Sequence, residues 1–277
     1  MIEKRATGHF DDAWIHMDET DDPEFFIRFL DASRVRALEF ARKNPEIAFA
    51  HLELKPGLSV LDCGCGTGDM LAVIAPLIAP GEACGGDLSA TMLQVARQRA
   101  AATGIANLRF EHMDIQSLAY GDESFDRVLA TQLLIHVPDP RSALHEICRV
   151  TKRNGIVAIA DVDWDTLVIG CTNKDLARRC THLFSDGIRN GLVVREYAGW
   201  LRSEGFTNIK MIPQQVVFDD WTGVKEWILE PALPHFIAKG VMSEAEAKSI
   251  VDDLADRNAN DHFLAAMTIY TVTGQRP

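Results

Sequence analysis

The sequence predicts an α/β fold built on a largely parallel sheet. Short buried strands alternate with segments of helical periodicity through much of the 277 residues, a pattern typical of parallel strands with helices packed on them. The clearest strand, the apolar run at 58–61, leads into a glycine-rich turn within residues 60–69 and then a helix. The length fits one enlarged domain better than two full ones.

The first half of the chain supplies the elements around that turn. Apolar residues at helical spacing over 23–44 predict one or two N-terminal helices. A second strand is expected to end near Asp87, and Ser89 is the expected N-cap of the next helix. The predicted elements from the turn onward are helix 69–79, helix 90–103, strand 108–112, strand 125–132, helix 140–151 and strand 156–162.

The second half continues with helices and two further strands. Gly155 is expected to cap the exit of helix 140–151. A helical insertion is expected over 219–261, before the last strand. The other predicted elements are helix 175–190, helix 195–204, strand 209–218 and strand 263–273.

Composition excludes several classes of protein. The net charge of −12 and the lack of a broad Lys/Arg cluster argue against nucleic acid as a partner. The six cysteines include no C-x-x-C pair, so neither a metal site nor a disulfide framework is indicated. No apolar run approaches the ~20 residues needed to span a bilayer, and the N-terminus lacks an apolar leader, so a cytoplasmic location is expected.

The segment VLDCGCGTGD carries the strongest chemical signal. Glycine allows a tight turn and lets backbone N–H groups at a helix N-terminus approach a ligand closely. The spacing is G-x-G-x-G rather than G-x-G-x-x-G, and Asp62 directly precedes the first motif glycine. A carboxylate there would repel a pyrophosphate but suits a ligand with an amino group and a sulfonium cation.

Two further acids follow successive strands. Asp87 lies where a carboxylate can accept hydrogen bonds from both hydroxyls of a ribose. Asp114 can accept a hydrogen bond from an adenine amino group, and Leu88, Met92 and Ile115 can sandwich the ring. Each residue alone could be a helix cap or ordinary core, so their order after successive strands is what carries weight.

The segments VLDCGCGTGD, GGDLSATML, HMDIQSL and FDRVLATQLLIHVPDPRSALHEICRVTKRNG resemble the ordered motifs of class I S-adenosylmethionine (SAM)-dependent methyltransferases, over roughly residues 50–162. The resemblance is closest to the ubiquinone/menaquinone-biosynthesis type. It implies a Rossmann-like seven-stranded sheet of order 3-2-1-4-5-7-6 with strand seven antiparallel. Where amine-directed polymer methylases often carry N-P-P-Y, this chain reads ATQL. The cofactor contacts implied are Asp62, Gly64, Cys65, Gly66, Asp87, Leu88, Met92, Asp114, Ile115 and Thr131.

The acceptor side is less well marked. His136 follows strand four and could act as a general base, or it could only order its loop. Asp161, Asp163 and Trp164 follow strand five, at the edge where α/β ligand sites collect, although a cap and a buried anchor are equally good interpretations. The residues expected to bind the acceptor are Trp14, Phe26, Asp163, Trp164 and His182, and Arg189 is a further candidate on the same helix as His182.

The expected organisation is a single domain of residues 1–277. It comprises an N-terminal helical cap (1–50), a SAM-binding core (51–162) and the insertion 219–261, which would form part of an acceptor pocket with Trp221, Trp227, Pro231 and Phe236. The segment 1–35, with Phe10, Trp14, Phe25, Phe26 and Phe29, is expected to cover the site of its own chain or of a neighbour in a homo-oligomer.

The predicted function is SAM-dependent methylation, at oxygen, carbon or nitrogen, of a small and largely apolar acceptor such as a secondary metabolite or a quinone-like compound. The methyl group is already activated by positive sulfur, so alignment and exclusion of water can carry most of the work. The alternatives are a SAM-fold cyclase with or without methyl transfer, an NAD-dependent oxidoreductase, and a non-catalytic SAM-binding protein.

Overall fold

The computed structural model describes His9, residues 12–218 and residues 221–277. Phe10, one of the aromatic residues expected to cover the site, lies outside the described residues. The helices are α1 (Glu24–Lys43), α2 (Pro45–Ala48), α3 (Asp69–Ile78), α4 (Ala90–Thr103), α5 (Pro140–Val150), α6 (Lys174–Gly187), α7 (Tyr197–Ser203), α8 (Trp221–Val224), α9 (Glu230–Ala238) and α10 (Glu244–Ala259). The strands are β1 (Val60–Cys63), β2 (Ala83–Asp87), β3 (Leu108–His112), β4 (Phe125–Thr131), β5 (Thr151–Ile169), β6 (Thr207–Phe218) and β7 (Ala265–Gln275).

The seven strands form one sheet in the order β3-β2-β1-β4-β5-β7-β6, which confirms the predicted Rossmann-like topology. Strands β1 to β5 pair in parallel, and β7 runs antiparallel to both β5 and β6. All four residues of β1 are buried, because this strand lies inside the sheet with helices packed around it. The glycine-rich turn therefore opens from the carboxyl end of an inner strand.

The exit from α5 differs from the prediction. Gly155 does not cap the helix, since α5 ends at Val150 and β5 already begins at Thr151. The pairing of β5 with β4 shifts register between Thr151 and Ile156, and Gly155 lies in this irregular stretch. A Cβ on Gly155 would lie 2.7 Å from the carbonyl oxygen of Lys152, so close backbone approach, not helix capping, accounts for the glycine.

Strand β5 is much longer than the predicted 156–162. It continues to Ile169 because its second half pairs with β7, as far as Ile169 opposite Ala265. The antiparallel strand that extends β5 lies about a hundred residues further along the chain, beyond the reach of local sequence patterns.

The insertion before β7 is helical, as expected, over its described residues. It consists of α8, a π-helical turn at Lys225–Leu229, α9 and α10. Ser243 and Glu246 form a capping box at the start of α10. Across the described residues, no helix is both long and apolar enough to cross a bilayer.

Candidate functional site

The glycine-rich turn after β1 adopts a conformation that glycine permits. Gly64, Gly66 and Gly68 have φ values of +68°, +54° and +75°, in the left-handed region that other residues rarely enter. A Cβ on Gly66 would lie 3.0 Å from Leu30 Cδ1 and 3.8 Å from Arg34 Nη1, both on α1. The turn and α1 thus leave a narrow cleft that a side chain at position 66 would fill.

Asp87, at the end of β2, is bound to this turn through backbone donors. Its Oδ2 accepts a hydrogen bond from Gly66 N and its Oδ1 accepts one from Ser89 N, each at 2.9 Å. Burial raises the pKa of Asp87, while these two N–H groups and Arg34 lower it. Each carboxylate oxygen has a second lone pair, so Asp87 can still accept two hydrogen bonds from a ligand.

Asp62 lies beneath the turn and is 5% exposed. Burial, opposed by the positive charge of Arg34 and reinforced by the negative charge of Asp87, raises its pKa to about 7. The carboxylate is therefore close to half-protonated near neutral pH. A cationic group bound nearby would favour its charged form.

A cavity of about 470 Å³, the larger cavity, opens over the turn at the carboxyl edge of the sheet. Its wall brings together residues from β2, α4, the loop after β3 and the loop after β4, which the sequence places far apart. The sequence-predicted site residues that line it are Trp14, Gly64, Gly66, Asp87, Leu88, Met92, Asp114, Ile115 and His136.

Residues 12–19, the N-terminal strap, cross this cavity. Asp18 accepts hydrogen bonds from Ser89 Oγ (2.6 Å) and Ala90 N (2.7 Å) at the start of α4. At the other end of the strap, Asp12 accepts one from Arg189 Nη2 at 2.5 Å. The strap thus covers the cavity of its own chain, and Arg189 serves as an anchor for it.

A second cavity of about 240 Å³, the aromatic cavity, adjoins the first. It is enclosed by α1, the middle of β5, the end of β6, α6 and the insertion. Trp227 and Pro231 supply the insertion's expected share of the wall, whereas Phe236 is buried in the core. The aromatic side chains that line it are Trp14, Phe25, Phe26, Phe29, Trp164, Phe184, Phe218 and Trp227.

The two cavities share part of their walls. Trp14, Leu30, Arg34, Gln132 and His136 line both of them. A ligand in the larger cavity and a ligand in the aromatic cavity would therefore meet at this junction. The junction combines two aromatic rings, one cation and one amide with a single aliphatic side chain.

Sequence reasoning missed Arg34 and Gln132. Arg34 lies on a helix with several other charged residues, and no local signal separates it from them. Gln132 directly follows β4 with a φ of +51°, which is unusual for a residue other than glycine, and its N–H donates to Ala160 O at 2.6 Å. Backbone strain of this kind clusters at functional sites, but it cannot be seen in a sequence.

Three residues expected to contact the cofactor do not line the larger cavity. The Asp62 carboxylate is buried beneath the turn, and the Cys65 N–H donates to Gly86 O at 2.9 Å. Thr131 pairs with Ala160 inside the sheet, and Gln132, the residue directly after β4, lines the junction in its place. Asp62 can still act on a ligand through its charge.

The residues expected to bind the acceptor divide into two groups. Trp14, Phe26 and Trp164 line the aromatic cavity. Asp163 lines neither cavity, because both its oxygens accept hydrogen bonds from Arg195, each at 2.8 Å. His182 also lines neither cavity and is exposed on α6.

Asp161, at the carboxyl end of the central part of β5, is fully buried and accepts a hydrogen bond from the Tyr197 hydroxyl. Burial raises its pKa to about 7, while Tyr197 and the backbone N–H groups of residues 133–135 oppose the rise. These N–H groups belong to the loop that carries His136. Asp161 lines neither cavity and therefore does not face a ligand.

Comparison with known proteins agrees with this geometry. The sequence profile of a methyltransferase domain matches residues 54–198. An uncharacterized 37.1 kDa protein in transposon TN4556 of Streptomyces fradiae is 30% identical over 252 residues, which cover 90% of this chain and 71% of that protein. A demethylmenaquinone methyltransferase from Geobacillus kaustophilus is 34% identical over 123 residues, or 44% of this chain and 53% of the enzyme, so the match spans about half of it.

The solved structure of the YcgJ protein from Bacillus subtilis superposes with a TM-score of 0.59 at 19% identity, covering 83% of this chain and 96% of that one, and shows the shared fold. The glycine-rich turn, the acid at the end of β2 and the strand order agree with the profile match. The chain therefore belongs to the methyltransferase-domain family, of the class I SAM-dependent type.

Proposed function

We propose that this chain transfers a methyl group from SAM to a small, largely apolar acceptor. The observation that carries the proposal is the junction of the two cavities, where Trp14, Arg34, Gln132 and His136 line both walls. A methyl donor on one side and an acceptor on the other would meet there without intervening protein. Methyl transfer requires such an arrangement, because the two reacting atoms must be aligned.

The larger cavity fits the cofactor in several respects. Asp87 has free lone pairs for the two ribose hydroxyls. Gly64 and Gly66 bring the backbone to the wall of this cavity, where the amino-acid portion would lie, and the charge of Asp62 favours the amino group and the sulfonium. Met92, on α4, and Ile115, in the loop after β3, both line this cavity and could pack against an adenine ring. Asp114 lines it beside Ile115 and could accept a hydrogen bond from the adenine amino group.

SAM, when bound, supplies a methyl group on positively charged sulfur, which needs no further activation. The chain's own residues then have two tasks. Trp14, Phe26 and Trp227 shield the junction from water. His136 offers a ring nitrogen that can accept a proton from an acidic acceptor.

Calorimetric titration with S-adenosylhomocysteine and, separately, with NAD tests the cofactor assignment. We expect binding of S-adenosylhomocysteine and no binding of NAD, because Asp62 would repel a pyrophosphate. Binding of NAD alone would contradict the proposal and support an oxidoreductase.

Turnover is tested with a panel of phenols, enols and amines in the presence of SAM. Formation of S-adenosylhomocysteine together with a product heavier by one methyl group is the expected result. A transformed acceptor without S-adenosylhomocysteine would indicate cyclisation or another isomerisation. No reaction with any acceptor, despite tight cofactor binding, would favour a non-catalytic binding protein.

A further inference from the structure

We propose that Arg34 binds an anionic oxygen at the junction of the two cavities, and that the aromatic cavity is built for an acceptor that reacts as an oxyanion, such as a phenol or an enol. This inference rests on the proposed function and goes beyond it by separating acidic acceptors from amines. The distribution of charged side chains around the junction supports this inference.

The charge distribution of the two cavities is unequal. In the part of the chain that the structure describes, Arg34 is the only Lys, Arg, Asp or Glu among the residues lining the aromatic cavity. The larger cavity, by contrast, carries several carboxylates, among them Asp18, Asp87 and Asp114. Negative charge thus lies on the cofactor side and is missing from the acceptor side.

Arg34 itself lies on α1, one turn after Leu30, and is half-buried. Within the described residues its guanidinium forms no hydrogen bond or ion pair, although Asp62, Asp69 and Asp87 act on it electrostatically from a greater distance. A partly buried guanidinium without a hydrogen-bonded partner is costly, and an anionic ligand would remove that cost.

An amine acceptor fits this arrangement poorly. Aromatic side chains such as Trp14, Phe29 and Trp227 can hold a cation through their ring faces, but they are engaged in edge-on contacts with one another: Trp14 with Phe29 and Phe29 with Trp227, at 5.2 and 4.9 Å. The fixed positive charge of Arg34 at the junction would also repel an ammonium group where the reaction must occur.

An acidic acceptor fits better. Its apolar body would occupy the aromatic cavity, and its hydroxyl would reach the junction, where His136 can take the proton and pass it to solvent. The oxyanion left behind would accept hydrogen bonds from Arg34, whose planar guanidinium offers several donors. Arg34 would then hold the acceptor in its reactive form.

The anionic oxygen could come from one other source, the carboxylate of the cofactor, because Arg34 also lines the larger cavity. The test therefore has two arms. The first uses three probes of similar shape and different charge: 2-naphthoate, 2-naphthamide and 2-naphthylmethylammonium. Their affinities are measured through tryptophan fluorescence, since Trp14, Trp164 and Trp227 line the cavity, with S-adenosylhomocysteine saturating.

We expect the wild-type chain to bind naphthoate about tenfold or more tightly than naphthamide, and the ammonium probe least. Arg34→Met should abolish the preference for naphthoate. Arg42→Met is the matched control, because Arg42 lies exposed on the same helix and lines neither cavity. The comparison of probes on the wild-type chain holds even if Arg34→Met does not fold.

The second arm compares S-adenosylhomocysteine with 5′-methylthioadenosine, which lacks the carboxylate. If Arg34→Met weakens only S-adenosylhomocysteine and leaves the naphthoate preference intact, Arg34 serves the cofactor and the acidic-acceptor inference is wrong. Equal binding of the three probes, or tightest binding of the ammonium, would also overturn it. Failure of the wild-type chain to bind S-adenosylhomocysteine would instead contradict the proposed function itself.

Discussion

The indole of Trp14 stacks on the imidazole of His136, with ring centroids 5.5 Å apart and an angle of 20° between the planes. Phe26 and Phe29 of α1 pack edge-on against the same indole, at 4.9 and 5.2 Å. The N-terminal strap and α1 thus fix the orientation of a ring that belongs to the loop after β4. Removing the strap should therefore affect the junction more than the sheet.

Deleting residues 1–20 is expected to weaken binding of S-adenosylhomocysteine and to impair turnover more than it lowers the melting temperature. The strap lines both cavities, while the one core residue it contributes, Met17, packs only in a small cluster with α1 and Met92. Calorimetry and thermal unfolding of the same preparation measure the two effects. A large loss of stability with unchanged affinity would make the segment a structural scaffold.

A point substitution tests whether the docking of the strap onto α4 matters when the strap itself is still present. Asp18→Ala removes the two hydrogen bonds to the start of α4 and should weaken S-adenosylhomocysteine binding about 3- to 10-fold. Asp21→Ala, exposed just beyond the strap and outside both cavity walls, is the control and should bind normally. Equal affinities for the two variants would contradict the idea that strap docking supports the cofactor.

Asp87→Ala should lower SAM affinity by about 30-fold or more. The substitution would remove the two charge-assisted hydrogen bonds that we propose Asp87 accepts from the ribose, and it also frees the Gly66 and Ser89 N–H groups that Asp87 binds. Asp186→Ala, exposed on α6, controls for the loss of one negative charge. A folded Asp87 variant with an unchanged dissociation constant in calorimetry would refute the ribose assignment.

SAM affinity should depend on pH through Asp62. Burial raises the pKa of Asp62 to about 7 in the ligand-free chain, and a bound sulfonium and amino group would lower it. Binding below pH 7 therefore requires release of a proton, so affinity should fall about tenfold from pH 8 to pH 6.

Asp62→Asn provides the check on that pH dependence. The variant should bind SAM weakly at every pH and lose most of the difference between pH 8 and pH 6. Calorimetry in two buffers of different ionisation enthalpy measures proton release directly. Uptake of a proton on binding, or an equal pH dependence in the variant, would show that another group titrates.

The fold was predictable from the sequence where local pattern and motif order agree. The buried run ending in Cys63, the turn glycines and the acid Asp87 occur in sequence within one strand–helix–strand unit, and their relation in space follows from that connection. Gly155 and the far half of β5 were mispredicted because their conformation is set by pairing with distant strands.

The candidate site was predictable only in part, for a related reason. Asp163 was expected to face a ligand, but Arg195, thirty-two residues later in sequence, binds both of its oxygens. Arg34 is the converse case. Its sequence context does not distinguish it from the other charged residues of α1, and yet it lies at the junction. The pairing of a charged side chain depends on tertiary contacts, which residue type and spacing do not encode.

His136 is the residue whose role is least determined by its position. It lines both cavities, and its backbone N–H donates to Leu133 O at 3.0 Å in the loop after β4. If it is the general base, His136→Ala should slow single-turnover methyl transfer to a phenol by ~10²-fold or more while SAM affinity changes only a few-fold. His182→Ala, exposed and outside both cavities, should leave the rate unchanged.

A histidine that only supports Trp14 would behave differently. Its loss would loosen the strap and weaken cofactor binding, yet at saturating SAM the chemical step would stay nearly intact. The pH profile separates the two roles independently, because a general base acts only when deprotonated and the rate must therefore rise with pH. That rising limb should vanish in His136→Ala. A variant that keeps both the limb and the rate would show that alignment at the junction suffices, with the acceptor ionising without help from this ring.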